Sequence, residues 1–303
     1  MSELAGLFLN NLLPIFLAAG AGYALAYRVN LNPRTLSQVV LYIFAPCLIF
    51  SLLTRAQLKQ GEMVSVALFS LGTILLTGAL ALTGGKLLRL PPRLLAGVLL
   101  ASMFMNAGNY GMPVVMFAFG EQALAYASLF FVTSACTSYT LGVFIASRGS
   151  LSARQALINL LRIPMIYSLA LALVFIYTGW PVPLPLERTI GLLGDASIPC
   201  MLVLLGMQLR AASWRGRVAP LALVTGVRLI AGPLIAAGLA LAFNLHGPLR
   251  QAVILEAGMP AAVLNALLAT EFDAEPSFVS AAVFLTTLLS PLTLTPLLAY
   301  LGA

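Results

Sequence analysis

Two apolar runs, each long enough to cross a bilayer, are interrupted by the same tripeptide, Gly111-Met112-Pro113 and Gly258-Met259-Pro260. Proline removes a backbone donor and crowds the preceding turn, and the nearby glycine loosens the chain, so a spanning helix is expected to break at each. Backbone freed at membrane depth is tolerated only where protein covers it or a cavity receives it. Two such breaks therefore point to one central site, the arrangement expected of a secondary transporter.

The rest of the chain has the composition of a polytopic membrane protein. Of 303 residues 61% are hydrophobic and 8% charged, with mean hydropathy +1.01, far from the values of soluble domains. The chain divides into about ten apolar stretches of roughly 20 residues, the length that crosses about 30 Å of hydrocarbon. They run over 5–27, 35–54, 63–85, 94–119, 122–146, 155–178, 187–209, 218–243, 249–270 and 277–301. No room is left for a soluble domain, and the first span lacks a basic flank and a cleavage site, so it is expected to be retained.

The net charge of +7 does not imply a nucleic-acid partner, because the basic residues sit in short loops between spans. Odd-numbered loops carry Arg28, Arg34, Lys86, Arg89, Arg93, Arg148, Arg154, Arg162, Arg210, Arg215 and Arg217, against Arg55, Lys59, Arg188 and Arg250 on the even ones. This asymmetry places the odd loops in the cytoplasm and both termini outside, in the cell's inner (plasma) membrane. Cys47, Cys136 and Cys200 lie inside apolar runs with no ligand-like spacing, so no metal site is expected.

The two halves resemble each other. Pro14 recurs as Pro164, Tyr27 as Tyr177, Pro46-Cys47 as Pro199-Cys200 and Pro113 as Pro260, at separations of 150, 150, 153 and 147. Each half holds five spans, an odd number, so the second enters the membrane in the opposite sense. The expected fold is all-α, ten transmembrane helices in two inverted repeats, 1–150 and 151–303, with broken helices 4 and 9 crossing.

Several stretches in order carry a family resemblance: Phe44-Ala45-Pro46-Cys47-Leu48, Asn106 through Pro113, Asp195-Ala196, Val227 through Pro233, Pro260, and Ala269-Thr270-Glu271-Phe272. In these the chain resembles the auxin efflux carriers and their bacterial permease relatives, within a wider group that includes bile-acid sodium symporters. The resemblance implies a scaffold of spans 1, 2, 6 and 7 and a transport domain of spans 3–5 and 8–10 that moves like an elevator. It also leaves a homodimer open. Where the plant carriers have a long hydrophilic segment between the fifth and sixth spans, only about eight residues separate Ala146 from Arg154. Ser134 stands where they tend to have Gln and Asn265 where they have Pro, both in the implied substrate region and both pointing away from auxin itself. Glu256 through Met259 is similar to the sodium-site helix of the bile-acid branch, with Pro260 in place of its Gln.

The chemistry expected of the site follows from the breaks. Each second half-helix is expected to start at its Pro, and two half-helix N-termini with partial positive charge favour an anion, most simply a carboxylate. Asn106, Asn109 and Asn265 are candidate donors to it, or else satisfy the broken backbone. Gly111 and Gly258, with Pro113 and Pro260, supply the permissive backbone of the breaks, the alternative being helix packing. Asp195, Arg228 and Glu256 fall near the midplane, where an unpaired charge costs about 3 kcal/mol or more, so pairing, protonation or ion binding is expected. One Arg cannot neutralise two acids. Glu256, a turn from the second break, is the expected carrier of a coupling proton or sodium ion.

Other function classes find less in the sequence. An intramembrane enzyme needs a nucleophile with its base or a metal cluster, yet the single His246 lies in a loop. Gly84-Gly85-Lys86 lacks the earlier glycine and following Ser or Thr of a phosphate loop. A channel would show ohmic current, and a ligand sensor would bind without flux.

Overall fold

A computed structural model describes residues 2–29, 32–56, 58–147, 149, 152–211 and 217–303. Arg148 and Arg215 of the basic-loop pattern, and the 150/151 boundary between halves, lie outside the described residues. Apart from one two-residue bridge, the described regular structure is helical. In chain order the helices are α1 (Leu4–Arg28), α2 (Pro33–Arg55), α3 (Gln60–Leu87), α4 (Pro92–Met103), α5 (Ala107–Ala146), α6 (Ala153–Leu161), α7 (Pro164–Thr178), α8 (Leu184–Arg210), α9 (Val218–Ala242), α10 (Gly247–Ala257), α11 (Val263–Glu271) and α12 (Pro276–Leu301). Seven of these, α1, α2, α3, α5, α8, α9 and α12, are long and apolar enough to cross a bilayer, and α4 and α7 are shorter apolar helices.

As one rod, α5 would measure about 60 Å, twice the hydrocarbon thickness. It turns at Gly120, where φ 74° and ψ −168° are open essentially to glycine alone. The expected sixth span, 155–178, is divided: α6 ends at Leu161, Arg162 is exposed, and α7 begins at Pro164. Pro164 lacks the N–H that a continuous helix would use, so it starts a new one.

The prolines also correct the expected position of the first break. Pro113 does not interrupt its helix. A wide turn over 107–111, closed by Gly111 N–H to the Asn106 carbonyl at 2.9 Å and by Met112 N–H to the Ala107 carbonyl, leads into it. The same device recurs at Pro14, Pro46 and Pro233, where wide turns over 8–12, 40–44 and 227–231 end two residues earlier. In each, the residue before Pro donates to the carbonyl five positions back, which moves the ladder past a residue that has no N–H and relieves the ring's clash with the preceding turn. The first break lies instead at Phe104-Met105-Asn106, between α4 and α5. The second break does fall at Gly258-Met259-Pro260, though α11 starts three residues later, at Val263.

Packing falls into two groups. α1, α2, α7 and α8 pack on one another, and α3, α4, α5, α9, α10, α11 and α12 on one another, with α5 also touching α8, α2 and α1, and α12 touching α1. The first group is held by backbone contact between α1 and α8. Backbone atoms of Ala19 and Tyr23 stand where a Cβ on Gly206 would go, and the Val203 backbone where one on Gly22 would go. Small residues allow this approach, which replaces the absent hydrophobic drive between helices in lipid. Gly206→Val is expected to cost about 3 kcal/mol by overpacking, seen as a lower melting temperature in detergent, while Gly238→Ala, facing open space, leaves it unchanged.

Candidate functional site

The two breaks meet. Met105 and Ala261 form an antiparallel bridge in which Asn106 N–H donates to the Pro260 carbonyl at 2.8 Å and Ala262 N–H to the Phe104 carbonyl at 3.0 Å. Each break thus supplies the hydrogen-bond partners that the other lost, as a dry interior requires. Side chains complete the join: Asn265 Nδ2 donates to the Phe104 carbonyl at 2.9 Å, and Ala261 N–H donates to Thr286 Oγ1 at 3.1 Å.

Four helix ends converge here, and Arg228 separates them by charge. Its guanidinium, 0% exposed, donates to the carbonyls of Ser102 (3.0 Å), Met103 (3.3 Å) and Ala257 (2.7 Å). Those carbonyls belong to the last turns of α4 and α10, where unsatisfied C=O groups concentrate partial negative charge. An ion pair of Arg228 with Asp195 or Glu256, one of the alternatives open from the sequence, is absent: the ion pairs among the described residues are Arg55–Glu187 and Arg93–Asp273. The reason lies in position. Asp195 is exposed on α8, in the other packing group, and the helix ends already supply the negative charge that Arg228 needs.

Glu256, 0% exposed on the last turn of α10, keeps both carboxylate oxygens without a hydrogen-bond partner. They press against Gly111, which leaves no space there for a Cβ. Ser102 Oγ, Asn106 Nδ2, Arg228 Nε and Asn265 Oδ1 are likewise buried and unpartnered. The crossing is therefore polar and incompletely satisfied, which is uncommon for a folded interior.

The positive ends face a cavity of about 400 Å³ between the two packing groups. Asn106 through Asn109, opening α5, and Ala262 through Leu264, opening α11, form part of its wall. First-turn N–H groups have no intrahelical acceptor, so both N-termini offer donors to this space. Ser134 lines it and is also 3.5 Å from Met105 Sδ, while Asn109 Nδ2 reaches Gln208 Oε1 on α8 at 3.3 Å. Of the residues singled out from sequence, Asn106, Asn109 and Ser134 line the cavity. Gly111, Pro113, Gly258, Pro260, Asn265, Arg228 and Glu256 lie behind or beside it in the crossing region, and Asp195 stands apart. Sequence reasoning missed Gln208 and Arg34, both in the wall. A polar amide one turn from the end of an apolar span was the available signal for Gln208, and Arg34 was absorbed into the basic-loop pattern.

With this geometry in place, comparison with known proteins is decisive. Residues 7–298 match the family model described as membrane transport protein. The chain belongs to that family, the one that holds the auxin efflux carriers. It is 31% identical over 87% of its length to an uncharacterized transporter of Methanothermobacter thermautotrophicus, also 87% covered. It is 27% identical to a putative malonate transporter of Rhizobium meliloti, with 98% of this chain and 96% of the relative aligned. Auxin efflux carrier component 4 of Arabidopsis thaliana is 31% identical over 45% of this chain and 23% of its own. The protein is an integral membrane protein of a transporter family, not an enzyme.

Arg228→Ala is expected to cost about 3–5 kcal/mol, because the two helix ends lose their buried charged partner. Arg188→Ala, on the exposed start of α8, changes stability by less than about 0.5 kcal/mol. Melting temperatures of the two purified variants check this.

Proposed function

We propose that this protein is a secondary transporter of a small organic anion, a carboxylate, and that the crossing of residues 104–106 with 260–262 is its binding cradle. The observation that carries this reading is two helix N-termini on the wall of one cavity, with Asn106 between them holding an unpartnered buried amide. The positive ends attract an anion, and the low dielectric around them strengthens the attraction. The printed name of the Rhizobium meliloti relative, a putative malonate transporter, agrees with a carboxylate.

In this reading the ten spans form two inverted five-span halves, 1–150 and 151–303. The group α1, α2, α7 and α8 is the scaffold, and the remaining membrane helices form a transport domain that carries the cradle in elevator fashion. The closer packing within each group than between the groups, with the cavity between them, supports it. Arg34, Gln208 and Thr270 mark the cavity's end nearest the basic loops. By charge asymmetry that end is cytoplasmic, both termini are outside, and the arrangement is cytoplasm-facing in the inner membrane.

Glu256 is the proposed coupling residue. A fully buried carboxylate without donor or cation is costly by several kcal/mol, so uptake of a proton or sodium ion at the crossing offsets that cost. Gly111 ties its occupancy to the helix that opens on the cavity.

The test is uptake of labelled malonate into vesicles reconstituted with purified protein and preloaded with unlabelled malonate. Saturable counterflow is expected, with net uptake that responds to an imposed proton or sodium gradient; Glu256→Gln is expected to remove that response. Ohmic current without counterflow would make the protein a channel. Binding without flux would make it a sensor, and indifference of the wild type to both gradients would remove the coupling role of Glu256.

A further inference from the structure

A second cavity, of about 430 Å³, adjoins the central one and shares Leu41 and Tyr139 with it. Its walls come from both packing groups. Tyr42 belongs to the wide turn over 40–44 of α2 and Arg162 to the link between α6 and α7, while Tyr139 belongs to a further wide turn, over 138–142 of α5, and Glu271 ends α11. Two amides complete the polar part, Gln155 Nε2 donating to Asn159 Oδ1 at 3.2 Å.

Arg162 and Glu271 share this space without pairing: neither takes part in an ion pair among the described residues. Glu271 is also poorly placed for its own helix, because a carboxylate at the last residue of α11 meets the negative end of the helix dipole. The cavity thus holds one group that seeks an anion and one that seeks a cation. An anion alone would meet Glu271 and a cation alone would meet Arg162, so the matching ligand carries both charges. The rings of Tyr42 and Tyr139 add π faces that suit its cationic end.

The surroundings of the cavity are apolar and exposed. α6 turns Gln155 and Asn159 to the cavity and leaves Leu157 and Leu161, one turn apart, 56% and 51% exposed. A helix with an unburied apolar face beside the basic residues Arg154 and Arg162 suits the membrane interface. Ile43 and Phe144, next in sequence to the lining residues Tyr42 and Val143, are exposed as well. A ligand whose charges enter the cavity meets hydrocarbon-compatible surface at its exit, which favours an amphiphile over a water-soluble zwitterion.

We propose that this second cavity holds the headgroup of a zwitterionic phospholipid with a primary ammonium, of the phosphatidylethanolamine type. Arg162 receives the phosphate, to which its planar fork gives charge-assisted hydrogen bonds, and Glu271 receives the ammonium. A primary ammonium brings N–H donors to Glu271 that a quaternary one lacks. The acyl chains leave along the exposed side chains of Ile43, Phe144, Leu157 and Leu161. The site is separate from the anion cradle and does not depend on the carboxylate reading.

The experiment titrates purified, delipidated protein in detergent with dioleoyl forms of phosphatidylethanolamine, phosphatidylcholine and phosphatidylglycerol, and with soluble glycerophosphoethanolamine, reading the bound fraction by native mass spectrometry. Phosphatidylethanolamine is expected to bind about tenfold or more tightly than phosphatidylglycerol, with phosphatidylcholine between, and about tenfold or more tightly than glycerophosphoethanolamine. Arg162→Gln lowers the affinity for phosphatidylethanolamine about tenfold, and Glu271→Gln removes its preference over phosphatidylglycerol. Both side chains are exposed, so the variants are expected to fold, and an unchanged melting temperature verifies it. Equal binding of the lipids by the wild type, or no binding of any, would overturn the inference. So would an affinity for phosphatidylethanolamine unaltered by Arg162→Gln, or a preference that survives Glu271→Gln. Glycerophosphoethanolamine binding as tightly as the lipid would put a soluble zwitterion in the cavity and overturn it too.

Discussion

A single buried cation organises the centre of this molecule. Bringing four helix ends together away from water concentrates two partial negative and two partial positive charges, and nothing in hydrocarbon screens them. Arg228 satisfies the negative pair with three hydrogen bonds to carbonyls, and the positive pair remains turned toward the cavity. In the proposed reading, the preference for anions would be produced partly by a residue that does not line the cavity. Lysine would place a compact charge there without the spread of donors that reaches two separate helix ends.

The wide turns explain how so many prolines coexist with long membrane helices. Pro14, Pro46, Pro113 and Pro233 each follow a turn that has already skipped one position in the hydrogen-bond ladder. Three of those turns bear on the centre: the turn over 107–111 opens on the cavity, the turn over 40–44 contributes Val40 and Leu41 to its wall, and the turn over 227–231 contains Arg228. Such turns are frequent at functional sites because they re-aim side chains without ending the helix.

Much of this was legible in the residues. Apolar runs of spanning length, the broken character of the fourth and ninth, and the meeting of their breaks follow from the cost of exposed backbone in hydrocarbon. What failed to follow was the address of the first break. Proline announces only a missing donor, and the helix through Pro113 answers with a wide turn, whereas Phe104-Met105-Asn106 contains no breaker and is held open by Pro260 and Ala262, far along the chain. The match of Pro113 with Pro260 was in this sense misleading, since the bridge joins Met105 to Ala261. Depth along a span was also insufficient to pair charges: counting residues puts Asp195 and Arg228 at similar depth, but such counting says nothing about which face or which helix group a side chain occupies. Arg34 and Gln208 stayed hidden for the same reason, because a cavity between groups is a tertiary object.

The bridge between Met105 and Ala261 constrains any movement of the protein. Prising the two interrupted helices apart would strand backbone donors and acceptors in a dry interior, with each group left bare costing several kcal/mol. Under the proposed transport function, the crossing would then travel as an indivisible cargo holder, and access to the far side would come from sliding this whole unit past its neighbours rather than from parting its own jaws.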